Sequence, residues 1–405
     1  MAIDRMDFTG ASGATLAARI DRPAGRVKAS ALFAHCFTCG KDIAAARRIA
    51  ARLSVLGIAV MRFDFTGLGH SGGEFANTGF TSNIGDLVAA AEHMTAQGLA
   101  PSLLIGHSLG GAAILAAAAR IQSAKAVVTI GAPADPGHVL HNFGAALETI
   151  RTAGEAEVSL AGRIFRIARS FIDDVEAARL TPAIAALDRA LLVLHAPRDA
   201  TVGIENAGQI FTAAKHPKSF VTLDDADHLL TRAEDADYAA EVIAAWASRY
   251  LDLAETPPAD APEGITRVIE ADPDGFLQDV VVGSSHRLLG DEPASYGGRD
   301  AGPSPYQFLT AALGTCTAMT IRMYARRKEI ALEHVSVDVS HNKIHAEDCA
   351  ACETKAGKID RFQRVIRLTG DLDLPTRKRL LEIADKCPVH RTLENEVLIE
   401  TRLQE

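Results

Sequence analysis

What the chain lacks narrows its role before any motif is read. No apolar run is long enough to span a bilayer, and the longest are rich in alanine. The N-terminal stretch MAIDRMDFTG has no apolar core of a secretory signal, so a cytoplasmic protein away from membranes is expected. There is no dense basic stripe interleaved with aromatics. A formal charge of −9 and a pI near 5.9 further argue against nucleic acid as a partner. Six cysteines in 405 residues are too few for a secreted disulfide framework, so each is expected to be catalytic, metal-binding or buried. No internal repeat is present. What is there is an ordinary globular composition, 48% hydrophobic and 23% charged, in a chain long enough for two or three domains.

Residues 1–253 alternate short apolar runs with helical patterns. The runs are Ala29–His35, Ile58–Phe63, Ser102–Gly106, Ala126–Ile130, Leu191–His195 and Phe220–Leu223. Such alternation predicts an α/β fold, a doubly wound and mostly parallel sheet covered on both faces. Residues 134–185 break the rhythm with amphipathic pieces and a candidate hairpin around Ala161-Gly162, which predicts a small cap over the C-terminal edge of the sheet. A linker over 254–263 follows, carrying three prolines and three acids between Glu255 and Glu263. Beyond it, over 264–405, half-exposed strand patterns at Ile265–Glu270, Phe276–Val282, Ser336–His341 and Arg364–Leu368 surround two helices, Pro305–Lys328 and Thr376–Lys386. That order is α+β, a second domain.

Ser102–Ala119 reads SLLIGHSLGGAAILAAAA. An apolar strand enters Gly106-His107-Ser108-Leu109-Gly110 and an alanine-rich helix leaves it, so Ser108 stands at the apex of a tight turn and at a helix N-terminus. A serine attacks only if a base takes its proton and an acid orients that base. Asp199 follows the strand Leu191–His195, and His228 follows the last strand in the loop Asp224–His228; Asp227, adjoining the histidine, is the weaker acid candidate. Oxyanion donors are expected from the N–H of Leu109, just after the serine, and of Phe37 in Ala34-His35-Cys36-Phe37-Thr38, where Cys36 occupies the usual place of a glycine.

With these residues, and with Phe63-Asp-Phe-Thr-Gly-Leu-Gly-His-Ser71, residues 1–253 resemble an α/β-hydrolase. The resemblance implies cleavage of an ester, thioester or amide through acyl-Ser108 with no cofactor, and a small cap fits a small or medium acyl group.

In the second domain, Cys316 lies within the apolar helix, and Cys387 precedes Pro388 at a helix start that would stabilise a thiolate. One cysteine attacking and one resolving would suit peroxide reduction through a sulfenic acid. Gly302–Cys316, with Pro303-Ser-Pro-Tyr-Gln-Phe at its start, and Ala384-Asp-Lys-Cys-Pro-Val-His-Arg-Thr-Leu393 resemble the OsmC/Ohr family of thiol peroxidases, and the whole chain resembles bacterial fusions of the two families. This resemblance implies an intertwined homodimer, with Cys316 as peroxidatic and Cys387 as resolving thiol, an organic hydroperoxide as substrate and a dithiol as reductant. The family's arginine-fixing glutamate is replaced by Tyr306, and Arg299 is a nearby arginine in an unaccustomed loop. Peroxide reduction as the main activity, or a second domain that only dimerises, are the alternatives.

Two further clusters remain. His341, His345, Cys349 and Cys352 have a spacing open to zinc, to a dithiol or disulfide, or to no ligand at all. Cys36 and Cys39 form another C-x₂-C, expected to be a pair of buried thiols.

Overall fold

The computed structural model describes every residue except 1, 24, 161, 252, 254–258, 273–274, 347–355 and 404–405. The chain divides into two compact units, Met1–Ala259 and Asp260–Glu405. Among the described residues no helix is long and apolar enough to cross a membrane.

The first unit opens with an antiparallel hairpin, β1 (Ala2–Thr9) and β2 (Thr15–Arg22). Its alternately buried and exposed residues do not form apolar runs, which is why the sequence pattern passes over it. Then follow β3 (Ala29–Ala34), α1 (Ala44–Val55), β4 (Ile58–Phe63), α2 (Phe80–Ala96), β5 (Leu103–His107), α3 (Leu109–Ala117) and β6 (Ala126–Ile130). A cap comes next, with α4 (Ala146–Ala153), the hairpin β7 (Glu155–Leu160) and β8 (Arg163–Ala168), α5 (Arg169–Ala177) and α6 (Leu180–Ala185). The chain returns through β9 (Ala190–His195), α7 (Glu205–Ala213), β10 (Lys218–Thr222) and α8 (Ala233–Ala247).

The eight strands lie in the order β1-β2-β4-β3-β5-β6-β9-β10, parallel from β4 to β10 and antiparallel at the β1–β2–β4 edge. β3 to β6 and β9 are apolar almost throughout because both sheet faces are covered. The alternation of strand side chains divides them: Leu32, Leu104 and Val127 join one core cluster, and Phe33, Ile105 and Val128 the other. Parallel strands end at one edge, and β3, β5 and β9 deliver their following loops to it, which gathers residues 35–39, 108 and 199.

The second unit begins with an antiparallel meander, β11 (Thr266–Glu270), β12 (Gln278–Val282) and β13 (His286–Gly290). The 23-residue α9 (Pro305–Arg327) is started by Ser304, whose hydroxyl accepts from Gln307 N–H while the Gln307 side chain accepts from Ser304 N–H. A long hairpin, β14 (His334–His345) and β15 (Lys358–Thr369), leads to α10 (Leu374–Ala384) and α11 (Pro388–Glu394). Its buried cluster is small: Ile321, Ala325, Leu332, Leu380 and Ala384. The strand expected to end at His341 runs on to His345, because its pairing with β15 continues through Ile344↔Ile359 and His345↔Lys358.

Candidate active sites

The turn between β5 and α3 forces Ser108 to φ 55°, ψ −127°. For a side chain this left-handed backbone costs of order 1–3 kcal/mol and persists only where neighbours hold it. Its N–H donates to Ile130 O at 2.8 Å. The packing tolerates nothing larger than glycine: a Cβ on Gly106 would stand 2.5 Å from Gly110 O, and one on Gly110 2.4 Å from His35 O. α3 therefore abuts the end of β3 directly.

Three separated residues meet there. Ser108 Oγ lies 3.0 Å from His228 Nε2, and His228 Nδ1 lies 2.7 Å from Asp199 Oδ2. The other Asp199 oxygen accepts from Thr201 and Val202 N–H at 2.8 and 2.9 Å. Burial pushes the Asp199 carboxyl up, but the hydrogen bonds from His228, Val202 and Thr201 outweigh it and hold the pKa below the usual carboxylate value. An ionised Asp199 fixes the tautomer: Nδ1 carries the proton and Nε2 accepts from the serine hydroxyl. Asp227 instead takes Thr231 N–H at 2.9 Å, away from the ring.

His107 is a site residue that sequence reasoning missed. It is buried, and its Nε2–H donates to the carbonyl of His228 at 2.6 Å. Burial, helped by the neighbouring His228, lowers its pKa to about 4, so it is neutral at ordinary pH. The G-H-S spelling could have flagged it, but its partner lies 121 residues away.

The turn after β3 carries a correction. Cys36 and Cys39, expected as buried thiols, are joined by a disulfide with their Cα atoms 5.3 Å apart. The turn Cys36-Phe37-Thr38-Cys39 brings the two residues together, with Cys39 N–H donating to Cys36 O. Thr38, at its apex, has φ 60°. Arg163 from the cap hairpin donates to Thr38 O at 3.1 Å. Phe37 and Leu109, expected as oxyanion donors, stand on this turn and at the first position of α3, where a helix N–H has no partner of its own. The Phe37 ring packs among Phe75, Phe143 and Phe171, with centroids 5.8, 6.3 and 5.4 Å away. The cap thus supplies an aromatic roof.

In the second unit Cys316, half-buried on α9, meets the fully buried Cys387, which precedes α11. Both are free thiols, near enough for each to shift the pKa of the other. Burial and the neighbouring Cys387 sulfur raise Cys316. Burial also pushes Cys387 up, but the Cys316 thiol, the N–H groups of His390 and Val389 and the Thr317 hydroxyl outweigh it, so Cys387 is the more acidic sulfur. Arg299 is engaged elsewhere, with Asp272 at 2.7 Å. Sequence reasoning also missed the arginine that serves this cluster, Arg364 on β15. It donates to Thr317 Oγ1 at 3.0 Å and to His390 Nδ1 at 2.8 Å, and pairs with Asp385 at 2.7 Å. Tyr306 stacks on His341 at 4.2 Å.

His341 and His345 share one continuous strand, and four residues of strand separate their Cα atoms by about 13 Å, too far for one ion to hold both readily. His341 is instead bonded to Asp360 at 2.8 Å, while Cys349 and Cys352 lie outside the described residues. Among the described residues no three metal-ligating side chains converge.

Comparison with known proteins agrees with this architecture. A family profile described as "Serine aminopeptidase, S33" matches residues 26–161, and one described as "OsmC-like protein" matches 297–402. The esterase domain of a Rhodothermus marinus protein is 49% identical over 62% of this chain and 99% of its own length, with a TM-score of 0.52. Est1E from Butyrivibrio proteoclasticus, solved with ferulic acid, shares the fold at 18% identity, covering 60% of this chain and 98% of its own, TM-score 0.53. Mouse alpha/beta hydrolase domain-containing protein 10 shares it at 21% identity over 62% and 99% of the two chains, TM-score 0.50. No curated protein sequence matches the chain. The chain belongs to the α/β-hydrolases through its first unit, is an enzyme of that class, and continues into an OsmC-like domain.

The buried His107 makes acid stability a test of this geometry. Between its folded pKa of about 4 and the ordinary histidine value of 6.5 the unfolded chain holds more protons. Stability present above pH 6.5 is therefore lost as the pH falls through 4, by about 3 kcal/mol from this group. Urea unfolding followed by the fluorescence of Trp246, the single tryptophan, reads the first unit. His107→Gln is expected to flatten the loss over this window by about that amount; an unchanged pH slope would refute the assignment.

Proposed function

We propose that the first unit is a serine esterase acting through acyl-Ser108, and the observation that carries this is the Ser108–His228–Asp199 hydrogen-bonded chain. His228 Nε2 takes the hydroxyl proton as Ser108 Oγ attacks the acyl carbonyl, and Asp199 stabilises the imidazolium that forms. The N–H groups of Phe37 and Leu109 receive the negative charge on the carbonyl oxygen. His228 then gives its proton to the leaving alcohol or thiol, and water repeats the sequence to free the acid. The aromatic roof and small cap favour an apolar acyl group of short or medium length, carried as ester or thioester. The esterase description of the Rhodothermus marinus domain points the same way. Ser108→Ala is expected to lower kcat/KM on short p-nitrophenyl esters by about 10³-fold or more; undiminished turnover would sink the assignment.

For the second unit we infer thiol-dependent reduction of organic hydroperoxides. Its support is a half-exposed Cys316 in contact with a buried, more acidic Cys387. As a thiolate, Cys387 draws the Cys316 proton while Cys316 Sγ attacks the terminal oxygen of ROOH. The O–O bond breaks, and the proton passes from Cys387 to the alkoxide, which leaves as ROH. The Cys387 thiolate then attacks the sulfenic sulfur at Cys316 and expels hydroxide, which takes a solvent proton and leaves as water; a dithiol returns the resulting disulfide to two thiols. A dithiol reductant fits a cytoplasmic setting. Arg364 bonds Thr317 and His390 beside Cys387 and is the arginine that supports this pair. Cys316→Ser should remove dithiothreitol-dependent turnover of cumene hydroperoxide to background. Retained turnover would leave the unit as an assembly module.

We also infer a homodimer through this unit. Of the α9 side chains, Tyr306, Leu309, Met319 and Met323 are exposed, as are Val397, Leu398 and Ile399 after α11, a density of apolar surface typical of an interface. Sedimentation of the full chain at micromolar concentration should give a dimer, and a monomer would refute it.

A further inference from the structure

We propose that the Cys36–Cys39 disulfide is a redox modification site through which a dithiol lowers hydrolase turnover, an inference that rests on the esterase reading of Ser108. The bond spans the one turn that carries Phe37, the expected oxyanion donor. That turn is anchored on both sides. Upstream, His35 Nδ1–H donates to Cys36 O at 2.8 Å. Downstream, Asp64 accepts from Lys41 N–H at 2.6 Å and from its ammonium at 2.5 Å. Residues 37–40 between these anchors lie outside the regular sheet ladder. Thr38, β-branched and at φ 60°, is held against its backbone preference. The disulfide, the Cys39 N–H to Cys36 O bond, the Thr38 hydroxyl donating to Phe37 O at 2.6 Å, the Arg163 contact and the packing of the Phe37 ring hold it there, and of these the disulfide is the one a reductant can remove.

The two sulfurs differ in access. Cys36 is 4% exposed, whereas Cys39 is half-buried. A dithiol therefore enters at Cys39. Its thiolate attacks Cys39 Sγ, the S–S bond breaks, and Cys36 leaves as a thiolate that takes a proton. The second thiol of the reagent then attacks the mixed disulfide and releases Cys39 as a thiol. Two electrons and two protons pass to the protein, and the reagent leaves as its own disulfide. With the cross-link gone, Thr38 relaxes toward negative φ and turns the Phe37 peptide away from the oxyanion. The dithiol class is the same one that would serve the Cys316–Cys387 pair.

The experiment compares the full-length protein as isolated and after dithiothreitol, by p-nitrophenyl ester turnover and by fluorophosphonate labelling of Ser108. Differential alkylation and mass spectrometry of the peptide holding residues 36–39 read its redox state. Reduction should lower kcat by about tenfold or more, part of what loss of one oxyanion donor costs, with smaller change in KM. Reoxidation should restore it. Cys36→Ser/Cys39→Ser should start at the lowered kcat and not respond to dithiothreitol, which excludes an effect through the other cysteines. Thr38→Gly, which accepts positive φ without strain, should lose a smaller fraction of its own kcat on reduction than the wild type does. Thiols at 36 and 39 in the isolated and peroxide-treated protein alike, or a reduced wild type with undiminished kcat, would overturn the proposal. A protein that neither turns over esters nor labels at Ser108 in either redox state refutes the esterase reading, and this inference with it.

Discussion

The hydrolase site depends on one steric fact: α3 touches the end of β3 with no side chain between them. Gly110 makes this possible, since any Cβ there would meet the carbonyls of Ala34 and His35 at 2.6 and 2.4 Å. The contact brings the first N–H of α3 beside the turn that follows β3. The two proposed oxyanion donors, the N–H groups of Phe37 and Leu109, thereby come together from segments some 70 residues apart in sequence. Gly106 makes the other half of the fit by letting α3 fold back over β5. The strained Ser108 backbone is the consequence, and the flanking strands hold it. Asp199 and His228 are secondary to this frame. Asp199 is set by the end of β9, and His228 by a loop whose carbonyl accepts from His107.

This dependence explains what the sequence made legible. The triad could be read because each member follows a strand whose apolar run is evident, and parallel strands deliver their ends to one edge. The elbow glycines are spelled out within five residues. What escaped belongs to pairings between distant segments. β1, β2 and β13 have half-exposed patterns that define no run. The partner of His107 is a backbone carbonyl 121 positions away. Arg364 reaches the cysteine pair from the far side of a hairpin, where nothing in its neighbouring residues marks it. The Cys36–Cys39 bond was misread for a different reason: composition argued against disulfides in general, while the local turn decides the pairing. The hairpin register likewise overrode the expected end of β14, and with it separated His341 from His345.

The two chemical centres solve the same electrostatic problem by different means. In the proposed esterase reaction charge develops at Ser108 only during turnover, so donors held in readiness around a neutral hydroxyl suffice, with Asp199 held ionised beside His228. At Cys387, N–H groups, a hydroxyl and a second thiol gather around the sulfur and lower its pKa. Arg364 bonds Thr317 and His390, two of the residues that lower Cys387. Tyr306 stacks on His341.

The position of the disulfide also matters energetically. A single oxyanion donor is worth about 3 kcal/mol in the transition state and almost nothing in the resting fold. A change confined to residues 37–40 can therefore alter turnover by orders of magnitude, while the sheet, the triad and both core clusters keep their stability. Few other places in the first unit offer that separation. Disturbing Asp199 or His107 would unbalance buried polar groups and weaken the fold along with the chemistry. Disturbing Gly106 or Gly110 would push backbone apart. The turn after β3 lies outside the sheet ladder, and the chain closes it with sulfur.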